Sequence, residues 1–378
     1  MNVSTERVLV LGGAGFIGSH LVDALDERGH RVVVYDVLEP QVHGPDGQWP
    51  SYLHRGAERV LADVRDGETL ARWLAQVDVV FYMAAAVGVG QSMYEIRRYT
   101  DVNVMGAATL AQLLAERKHS VRKVVVASSM SLYGEGAYRC IACGVVYPSL
   151  RPEQQVQARE WEMRCPQCGI QAVPIATSEA KPLHPTSIYA INKRDHEEML
   201  LCIGRAYGIP TVALRYFNVY GPRQALSNPY TGVVAIFSAR LMNGSPPVVF
   251  EDGLQSRDFV HVSDIAQANL RAMDHDAADY EVLNVGTGRP TTVLQIASTL
   301  AKLLDVDIEP EITGKFRAGD IRHCYADIGK IQALLGYQPK VSLDSGMSGL
   351  VEWLPTQQGV ESLVPQAVQE LMQRGLTR

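Results

Sequence analysis

The sequence lacks the features that would assign it to a nucleic-acid-binding, membrane or secreted protein. It contains no run of lysine and arginine and carries a formal net charge of −6, whereas binding to a nucleic-acid backbone needs a basic surface. Its longest apolar stretch, residues 79–90, is too short and too rich in glycine to span a bilayer. The first six residues lack the cationic flank and apolar core of a secretion signal. We therefore expect a cytoplasmic protein with neither a nucleic-acid nor a membrane partner.

A disulfide framework is not indicated either, because the 378 residues include only six cysteines, and four of these form two close pairs. The pairs follow the Cys-x-x-Cys pattern, each with glycine directly after it: Cys140, Cys143, Cys165 and Cys168. Such turns point two thiolates at one position, and four thiolates suit a closed, tetrahedral zinc site. A short polar helix expected at 154–163 cannot form a core alone, so bound zinc would stabilise this segment. An iron site and redox-active or disulfide-paired cysteines are the alternatives.

The most informative pattern that is present lies near the start of the chain. An apolar strand at 7–11 leads into the run GGAGFIG at 12–18, which opens a helix expected to extend to Arg28. A second strand at 31–35 ends in Asp36. Glycines let the backbone approach a pyrophosphate closely, and the helix N-terminus offers free N–H groups to that anion. An acid at the end of the second strand suits the adenosine ribose hydroxyls and would repel a 2′-phosphate, so the pattern favours NAD over NADP.

Strands and helices then continue to alternate along the chain. The strands expected at 59–61, 78–82 and 121–127 each end at small or polar residues, which lie along one edge of a parallel sheet. This alternation predicts an α/β fold with a doubly wound, Rossmann-type parallel sheet that holds its ligands at that edge. A smaller C-terminal substrate domain is expected to follow it.

A tyrosine and a lysine lie four positions apart on a predicted helix, at Tyr189 and Lys193. Positions i and i+4 share a helix face, so both side chains can reach one crevice. A free tyrosine titrates near ~10, but a neighbouring ammonium and a cationic nicotinamide both favour the phenolate, which predicts a base that works near neutral pH. The pair alone is a common coincidence. Beside the dinucleotide motif and a serine at a strand end, it indicates a catalytic site.

These motifs together resemble the extended short-chain dehydrogenase/reductases of the nucleotide-sugar epimerase and dehydratase family, from Gly12 to Asp327. The resemblance implies bound NAD and a catalytic triad of Ser129, Tyr189 and Lys193. It also implies a set of residues around the cofactor, of which Asn103 supports the active-site helix: Gly12, Gly15, Phe16, Ile17, Gly18, Asp36, Asp63, Val64, Ala84, Ala85, Asn103, Ser128, Tyr189, Lys193 and Tyr216. The implied substrate is a nucleotide-diphosphate sugar, contacted by Val87, Ser129, Ser131, Asn218, Arg257, Arg317 and Asp320.

Two of these substrate residues also have a physical basis. A planar guanidinium grips a diphosphate through paired hydrogen bonds, as expected of Arg257 and Arg317. The alternative for these arginines is a surface ion pair with Asp258 or Asp320.

The residues after Ser129 limit the reaction that the resemblance implies. The sugar 4,6-dehydratases of this family carry an Asp-Glu pair there for the elimination of water, whereas this chain has Met130 and Ser131. The expected reaction is therefore transient oxidation of the sugar at C4 and return of the hydride to the opposite face, which is a 4-epimerisation. Val87 stands where UDP-galactose epimerases carry a lysine, so a different sugar pocket is expected.

The expected substrate follows from a narrower resemblance. The cysteine-containing insertion and the run SSMSLYGEG at 128–136 most resemble dTDP-L-rhamnose 4-epimerases, which interconvert dTDP-L-rhamnose and dTDP-6-deoxy-L-talose. A dTDP-6-deoxyhexose is therefore the first expectation, and UDP-glucose or UDP-N-acetylglucosamine is the second. A sugar-nucleotide dehydrogenase or decarboxylase, and a non-catalytic NAD sensor whose ribbon meets a partner, are further alternatives.

The expected organisation is an NAD-binding domain at 1–224, with a zinc-ribbon insertion at 136–176, and a substrate-binding domain at 225–378. Residues 255–270 are expected to return to the first domain. The insertion leaves the Ser129 strand and returns before the Tyr189 helix, which predicts a position at the rim of the active-site crevice. The tail at 360–378 has spaced apolar residues, from 360 to 372, that predict an amphipathic helix. The resemblance implies a homodimer formed through a helix bundle.

Overall fold

The computed structural model of the protein describes residues 5–226, 228, 232–317, 319–357, 370 and 373–376. Its strands in chain order are β1 Arg7–Leu11, β2 Arg31–Asp36, β3 Glu58–Leu61, β4 Val79–Tyr82, β5 Lys123–Ser129, β6 Ala137–Cys140, β7 Gly144–Val146, β8 Val173–Ile175, β9 Thr211–Tyr216, β10 Asn218–Tyr220, β11 Val248–Val249, β12 Ser256–Arg257, β13 Phe259–His261, β14 Val282–Val285, β15 Thr291–Thr292, β16 Glu311–Ile312 and β17 His323–Cys324. Its α-helices are α1 Phe16–Asp26, α2 Pro40–His43, α3 Gly67–Leu74, α4 Val89–Ser92, α5 Ile96–Thr100, α6 Gly106–Ala115, α7 Glu153–Gln157, α8 Ile188–Tyr207, α9 Val233–Met242, α10 Val262–Asp274, α11 Val293–Leu303, α12 Gly329–Leu335 and α13 Leu343–Trp353. A π-helical segment, Asp101–Met105, joins α5 to α6.

The central element of the described residues is a parallel sheet of seven strands in the order β14-β9-β5-β4-β1-β2-β3. The order of strand addition reverses between β1 and β4, which leaves a crevice at the carboxyl edge of these two strands. β4 is apolar and buried at every position, and β1 is buried beyond its first residue, because helices cover both faces of the sheet. α1 and α10 pack together on one face, and α6 packs on α8 on the other. The predicted doubly wound, Rossmann-type sheet is confirmed.

The chain returns to this sheet from its C-terminal part. β14 pairs with β9 at the edge of the sheet, and α10 packs against α1 beneath it. The return therefore extends to Val285, which lies beyond the expected segment 255–270. The division of the chain at 224/225 stays a prediction.

A second core forms beside the sheet, where α9, α11 and α13 pack on one another. α11 begins with a capping box, in which Thr292 and Gln295 each bind the other's backbone N–H group through their side chains. The short strands β15, β12 and β17 form a three-stranded sheet. This sheet brings the segment around Arg257 next to the segment around His323.

The insertion folds as a small antiparallel sheet in which β6 lies between β7 and β8. Its buried apolar cluster contains few side chains besides cysteine: Tyr138, Val146, Met163 and Ala172. The helix expected at 154–163 is shorter in the structure and ends at Gln157. The chain turns at Arg159, where φ is 58°, and the Gln155 amide donates to the Glu160 and Glu162 carbonyls at 2.9 and 2.7 Å. These hydrogen bonds hold a loop in place of further helical turns.

Most of the predicted tail helix, residues 360–369, 371, 372, 377 and 378, lies outside the described residues. At its described positions, Glu370 accepts a hydrogen bond from the Tyr94 hydroxyl at 3.0 Å, and the Arg374 guanidinium lies 4.1 Å from the centre of the Tyr94 ring. Among the described helices, none combines the length and the apolar character that crossing a bilayer requires.

Candidate active site

The glycine-rich turn between β1 and α1 lies directly against the end of β4. A Cβ atom on Gly12 would lie 2.7 Å from the Ala84 backbone nitrogen, and a Cβ atom on Gly18 would lie 2.2 Å from the Gly12 carbonyl oxygen. Gly12 also has a φ of 79°, which favours glycine. The first backbone N–H groups of α1, at Phe16 and Ile17, have no intrahelical partner because they begin the helix. The tight turn is followed, after the N-cap residue Gly15, by the free N–H groups of α1. This arrangement fits the pyrophosphate of a dinucleotide.

Asp36 ends β2 beside the same turn. Its carboxylate accepts hydrogen bonds from the backbone N–H groups of Ala14 at 3.0 Å and Leu38 at 2.9 Å. His43, from α2, lies 3.8 Å from the carboxylate, and burial lowers the pKa of its imidazole. Each carboxylate oxygen keeps further lone-pair capacity, so Asp36 can also accept from ribose hydroxyls. The sequence analysis missed His43, because a lone histidine in a short helix matches no motif.

Asp63 and Val64 follow β3 in the structure, and their implied contacts with the cofactor stay a prediction. Val64 is buried. The Asp63 carboxylate binds the Arg65 guanidinium at 2.6 Å, and this hydrogen bond lowers the pKa of Asp63. The Tyr35 hydroxyl donates to the Asp63 carbonyl at 2.9 Å, which fixes the backbone at this position. The structure therefore places both residues at the carboxyl edge of the sheet, with the Asp63 side chain already held by Arg65.

Asn103 fixes the loop that follows β4. Its amide accepts from the Ala86 backbone N–H group at 2.8 Å and donates to the Ala86 carbonyl at 3.1 Å. Ala84 and Ala85 precede this doubly bonded residue, so their backbone is held against the glycine-rich turn. Asn103 lies in the π-helical segment that packs on α8, and its own hydrogen bonds hold the loop after β4.

Ser129, Tyr189 and Lys193 meet where β5 ends and α8 begins. The Tyr189 phenol lies near the Ser129 side chain, whose influence acts to lower the pKa of Tyr189. Lys193 lies one helical turn after Tyr189 and donates to the Ala127 carbonyl at 2.7 Å. The structure thus brings together all three residues that the resemblance implied to be catalytic.

Two serines fix the start of the Tyr189 helix. Ser187 caps α8, because its hydroxyl accepts from the Ala190 backbone N–H group at 3.1 Å. The Ser92 hydroxyl accepts from the Tyr189 backbone N–H group at 3.0 Å and donates to the Val89 carbonyl at 2.7 Å. Ser92 is fully buried, and the sequence analysis missed it because its contact partner lies 97 positions away.

Burial moves the pKa values of the tyrosine and the lysine in opposite directions. Burial raises the pKa of Tyr189 to about 12, although the neighbouring Ser129 side chain acts to lower it. Burial lowers the pKa of Lys193 to about 7. These shifts come from the protein's own groups, and the expectation that the ammonium and a cationic nicotinamide together favour the phenolate near neutral pH stays a prediction. The buried Lys193 is only partly charged at that pH, and it donates to a backbone carbonyl.

Ser131 orients the Ser129 hydroxyl. The backbone N–H group and the hydroxyl of Ser131 both donate to Ser129 Oγ, at 3.2 and 2.9 Å. The intervening Met130 is buried. The positions after Ser129 therefore supply hydroxyl groups and no carboxylate.

Ser128 and Tyr216 use their hydroxyl groups inside the core. Ser128 donates to Glu197 at 2.5 Å, and Glu197 forms a buried ion pair with Arg215 at 2.5 Å. The Tyr216 hydroxyl donates to Asn269 at 2.9 Å. The implied contacts of Ser128 and Tyr216 with the cofactor therefore stay a prediction. The sequence analysis missed the buried Glu197 and Arg215, since a charged pair separated by 18 positions carries no motif.

Asn218 and Val87, both predicted to contact the substrate, differ in their exposure to solvent. The Asn218 side-chain oxygen is buried and has no hydrogen-bond partner among the described residues. A buried amide oxygen without a partner is costly, so a donor from a bound ligand would stabilise it. Val87 is 53% exposed on the loop after β4.

Of the two arginines predicted to bind the diphosphate, Arg257 forms an ion pair with Asp320. Arg257 donates to the Asp320 carboxylate at 3.1 Å and to the Ile321 carbonyl at 2.7 Å. Arg317 is exposed, and its guanidinium lies 4.2 Å from the centre of the Phe250 ring. Arg257 therefore forms an ion pair with Asp320 in this structure, and this ion pair does not decide between the two expectations. Substrate binding by these side chains stays a prediction.

The four paired cysteines converge in the insertion. Their sulfur atoms all lie within 4.8 Å of one another, and none of the four forms a disulfide. Both Cys-x-x-Cys turns end at a glycine with a φ of 76°, Gly144 and Gly169. Four thiol ligands at this separation fit one tetrahedral metal ion.

The fold and the site define an α/β protein with a dinucleotide cradle and a Ser-Tyr-Lys cluster in one crevice. Residues 8–148 and 168–286 match the family described as "NAD dependent epimerase/dehydratase family". The chain belongs to this family, and it is therefore an NAD-dependent enzyme. The stretch between the two matched segments falls inside the cysteine-containing insertion.

Individual relatives agree with this membership along almost the whole chain. The dTDP-L-rhamnose 4-epimerase of Burkholderia thailandensis is 35% identical over 93% of this chain and 96% of its own. The structure of the UDP-glucose 4-epimerase of Thermotoga maritima with UDP-glucose is 34% identical and has a TM-score of 0.75, covering 93% of this chain and 99% of its own. The UDP-glucuronic acid 4-epimerase of Bacillus cereus, in complex with UDP-glucuronic acid and NAD, is 26% identical with a TM-score of 0.75, covering 93% and 99%.

Proposed function

We propose that the protein is an NAD-dependent nucleotide-sugar 4-epimerase. The observation that carries the proposal is the meeting of Ser129, Tyr189 and Lys193 beside the dinucleotide cradle, at a site where no carboxylate follows Ser129. Without a carboxylate pair the site lacks the groups for eliminating water, whereas a positioned tyrosine and serine suffice for moving a proton at a sugar hydroxyl. The 4-epimerases among the relatives support the same reaction.

In the proposed mechanism, the protein's own groups hold the substrate and move one proton. Tyr189 takes the proton of the sugar C4 hydroxyl and gives it back, while Ser129, oriented by Ser131, donates a hydrogen bond to the same oxygen. Lys193, one helical turn after Tyr189, would favour the phenolate in its charged form. NAD, when bound, supplies the hydride acceptor and donor for C4, together with the positive charge of the nicotinamide.

The residues proposed to hold NAD lie along the carboxyl edge of the sheet. The glycine-rich turn and the start of α1 would hold the pyrophosphate, and Asp36 would hold the ribose hydroxyls. The loop after β4, which Asn103 fixes, would lie along the nicotinamide half.

We propose dTDP-L-rhamnose, interconverted with dTDP-6-deoxy-L-talose, as the substrate. The 35% identity to the Burkholderia thailandensis enzyme supports this choice. Val87 also supports it. Where UDP-galactose epimerases carry a lysine, this side chain is exposed and apolar and offers no cation to the sugar. UDP-glucose or UDP-N-acetylglucosamine is the second candidate, supported by the Thermotoga maritima structure.

The reaction and the substrate can be tested together. Purified protein, without added NAD, is incubated separately with dTDP-L-rhamnose, UDP-glucose and UDP-N-acetylglucosamine, and the sugar ring protons are read by NMR. Formation of a C4 epimer without accumulation of NADH is expected with the dTDP sugar. NADH formed in proportion to product would instead indicate a dehydrogenase or a decarboxylase. No conversion of any sugar, even with NAD added, would overturn the proposed reaction and favour a sensor.

We further propose that Cys140, Cys143, Cys165 and Cys168 bind one structural zinc ion. Because all four positions of a tetrahedral ion would be filled by thiolates, this zinc would take no part in catalysis. We expect one zinc per chain by elemental analysis, and loss of that zinc in Cys143→Ser. The exposed Cys202 lies outside the cluster, so Cys202→Ser is the control that keeps its metal. A metal-free wild-type protein with four free thiols would contradict the proposal.

A homodimer is proposed as the assembly. Exposed apolar side chains on helical elements that pack on one another support it: Ile96 on α5, Met105 on the π-helical segment and Ile191 on α8, exposed by 50%, 52% and 42%. Apolar side chains grouped in this way are typical of protein interfaces.

A further inference from the structure

The insertion makes contact with the predicted diphosphate clamp through one buried arginine. Arg322 is fully buried, and its guanidinium binds carboxylates from two different parts of the chain. Glu162, in the insertion, accepts from it at 2.6 Å. Asp252 accepts at 2.6 Å and Glu251 at 3.1 Å, both from the turn after β11. Hydrogen bonds from His323 and Arg322 lower the pKa of Glu162 to about 2, so this carboxylate is charged at neutral pH.

The backbone around Arg322 is also held by Glu135, the residue directly before the insertion. The Glu135 carboxylate accepts from the backbone N–H groups of Arg322 and His323, at 2.7 and 2.8 Å. The hydroxyl of Tyr138, in β6, donates to the same carboxylate at 2.7 Å. The insertion, together with Glu135, therefore fixes both the side chain and the main chain of this segment.

The opposite side of the same segment carries the residues expected to bind the substrate diphosphate. Arg257 donates to the carbonyls of Ile321 and Arg322, at 2.7 and 3.0 Å, and to the Asp320 carboxylate at 3.1 Å. Residues 320–323 thus lie between the insertion and Arg257.

The energetics of this arrangement make the two sides dependent on each other. A fully buried guanidinium is stable only when its carboxylate partners are present and well placed, because an unpaired buried charge is costly. Loss of Glu162 would leave Arg322 short of a partner and let it draw residues 320–323 toward Asp252. Arg257 is bonded to those residues, so its guanidinium would move with them.

We propose that the insertion positions the diphosphate clamp, with Glu162 and Arg322 as positioning residues that set the affinity for the nucleoside diphosphate part of the substrate. This proposal rests on the proposed function, since it takes Arg257 and its neighbours as the substrate clamp. It gives the insertion a role in substrate binding that does not require contact with the sugar.

The test compares two carboxylates of the same insertion. Glu162→Gln removes the negative charge that pairs with Arg322, whereas Glu160→Gln is the matched control, because Glu160 forms an exposed ion pair with Arg164 only within the insertion. Dissociation constants for dTDP, UDP and NAD are measured by calorimetry on the full-length protein. We expect the affinity for whichever nucleoside diphosphate the wild type binds to fall about five- to tenfold in Glu162→Gln. The affinity for NAD should not change, and the control should match the wild type.

A second variant covers the case in which Glu162→Gln does not fold. Tyr138→Phe removes only the hydrogen bond to Glu135, and it should weaken dTDP or UDP binding in the same direction. In steady-state assays both variants should raise KM for the nucleotide sugar and leave kcat unchanged, which a general loss of stability would not do. The proposal would be overturned if both variants bound dTDP and UDP as tightly as the wild type does. It would also be overturned if the variants lost as much affinity for NAD as for the nucleoside diphosphate.

The outcomes separate this proposal from the proposed reaction. A wild type that binds dTDP or UDP in the manner described, but epimerises no sugar, leaves the positioning role standing and removes the proposed reaction. A wild type that epimerises a sugar, with variants that bind nucleoside diphosphate normally, supports the proposed reaction and overturns the positioning role. A wild type that binds neither dTDP nor UDP overturns the positioning proposal.

Discussion

At the residue scale, Lys193 shows how far burial changes an ordinary side chain. The residue is 3% exposed, and among the described residues its hydrogen-bond acceptor is the Ala127 backbone carbonyl. Removing an ammonium from water disfavours its charged form, so burial lowers the pKa of Lys193 to about 7. The group therefore places a cost on folding whenever it is charged.

The pH dependence of stability measures this cost. The pKa of lysine is near ~10.4 in an unfolded chain, so between that pH and about pH 7 the unfolded protein binds more protons than the folded one. The free energy of unfolding of the wild type should therefore rise with pH over this interval. Lys193→Met removes this pH dependence. The free energy of unfolding of the variant should therefore exceed that of the wild type most at pH 7, and this difference should shrink by about 2–3 kcal/mol by about pH 9.

The comparison uses denaturant unfolding of NAD-free protein at several pH values. Lys118→Met, at an exposed position, serves as the control, and its difference from the wild type should not vary with pH. A Lys193→Met difference that is equally independent of pH would mean that the lysine keeps its ordinary pKa in the folded protein.

A second prediction at this scale concerns Tyr189. Tyr189→Phe removes the group proposed to accept and return the proton, so the epimerisation rate should fall by about 10²–10⁴-fold. The NAD content of the purified protein should stay the same, because the ring is retained. Tyr207→Phe, at the exposed end of the same helix, should leave the rate unchanged. Substantial epimerisation by Tyr189→Phe would remove the tyrosine from the mechanism.

At the scale of elements, the turn between β1 and α1 depends on backbone packing that only glycine permits. Gly18 lies so close to Gly12 that an added Cβ atom would come within 2.2 Å of a carbonyl oxygen. Because the contact is with a backbone atom, no change of side-chain rotamer can relieve it, so the turn itself would have to move.

Gly18→Ala should therefore weaken NAD binding. A steric cost of about 1–3 kcal/mol corresponds to a loss of roughly 10- to 100-fold in affinity. Gly349→Ala is the control, since an added Cβ atom there meets nothing within 4 Å. The NAD content per chain and the NAD dissociation constant decide the matter, and a Gly18→Ala protein that retains full NAD affinity would contradict the proposed cradle.

At the scale of the whole molecule, the exposed apolar side chains lie on helical elements that also support the site. The elements that carry Ile96 and Met105 pack on α8, the helix that carries Tyr189 and Lys193. Association through this face would bury apolar surface and hold the catalytic helix from outside.

The predicted dimer can be tested with charge substitutions on that face. Ile96→Glu combined with Met105→Glu places two carboxylates where apolar contact is expected, so sedimentation should show a monomer where the wild type is a dimer. Ile312→Glu, at an equally exposed position on β16 outside this face, should leave the dimer intact. A wild type that sediments as a monomer would contradict the proposed assembly.

The sequence by itself determined the elements whose physics is local. Glycine placement and apolar periodicity fixed the β1-turn-α1 unit, the spacing of Tyr189 and Lys193 put both on one helix face, and the Cys-x-x-Cys pairs predicted convergent thiols. Each of these depends on backbone conformation or on spacing over a few residues.

Only the tertiary structure decided the environment of those groups. It buried Lys193, committed Ser128 to Glu197 across 69 positions, and joined Arg322 to Glu162 across 160. Desolvation and ion pairing depend on which distant segments pack together, and no local pattern in the sequence encodes those contacts.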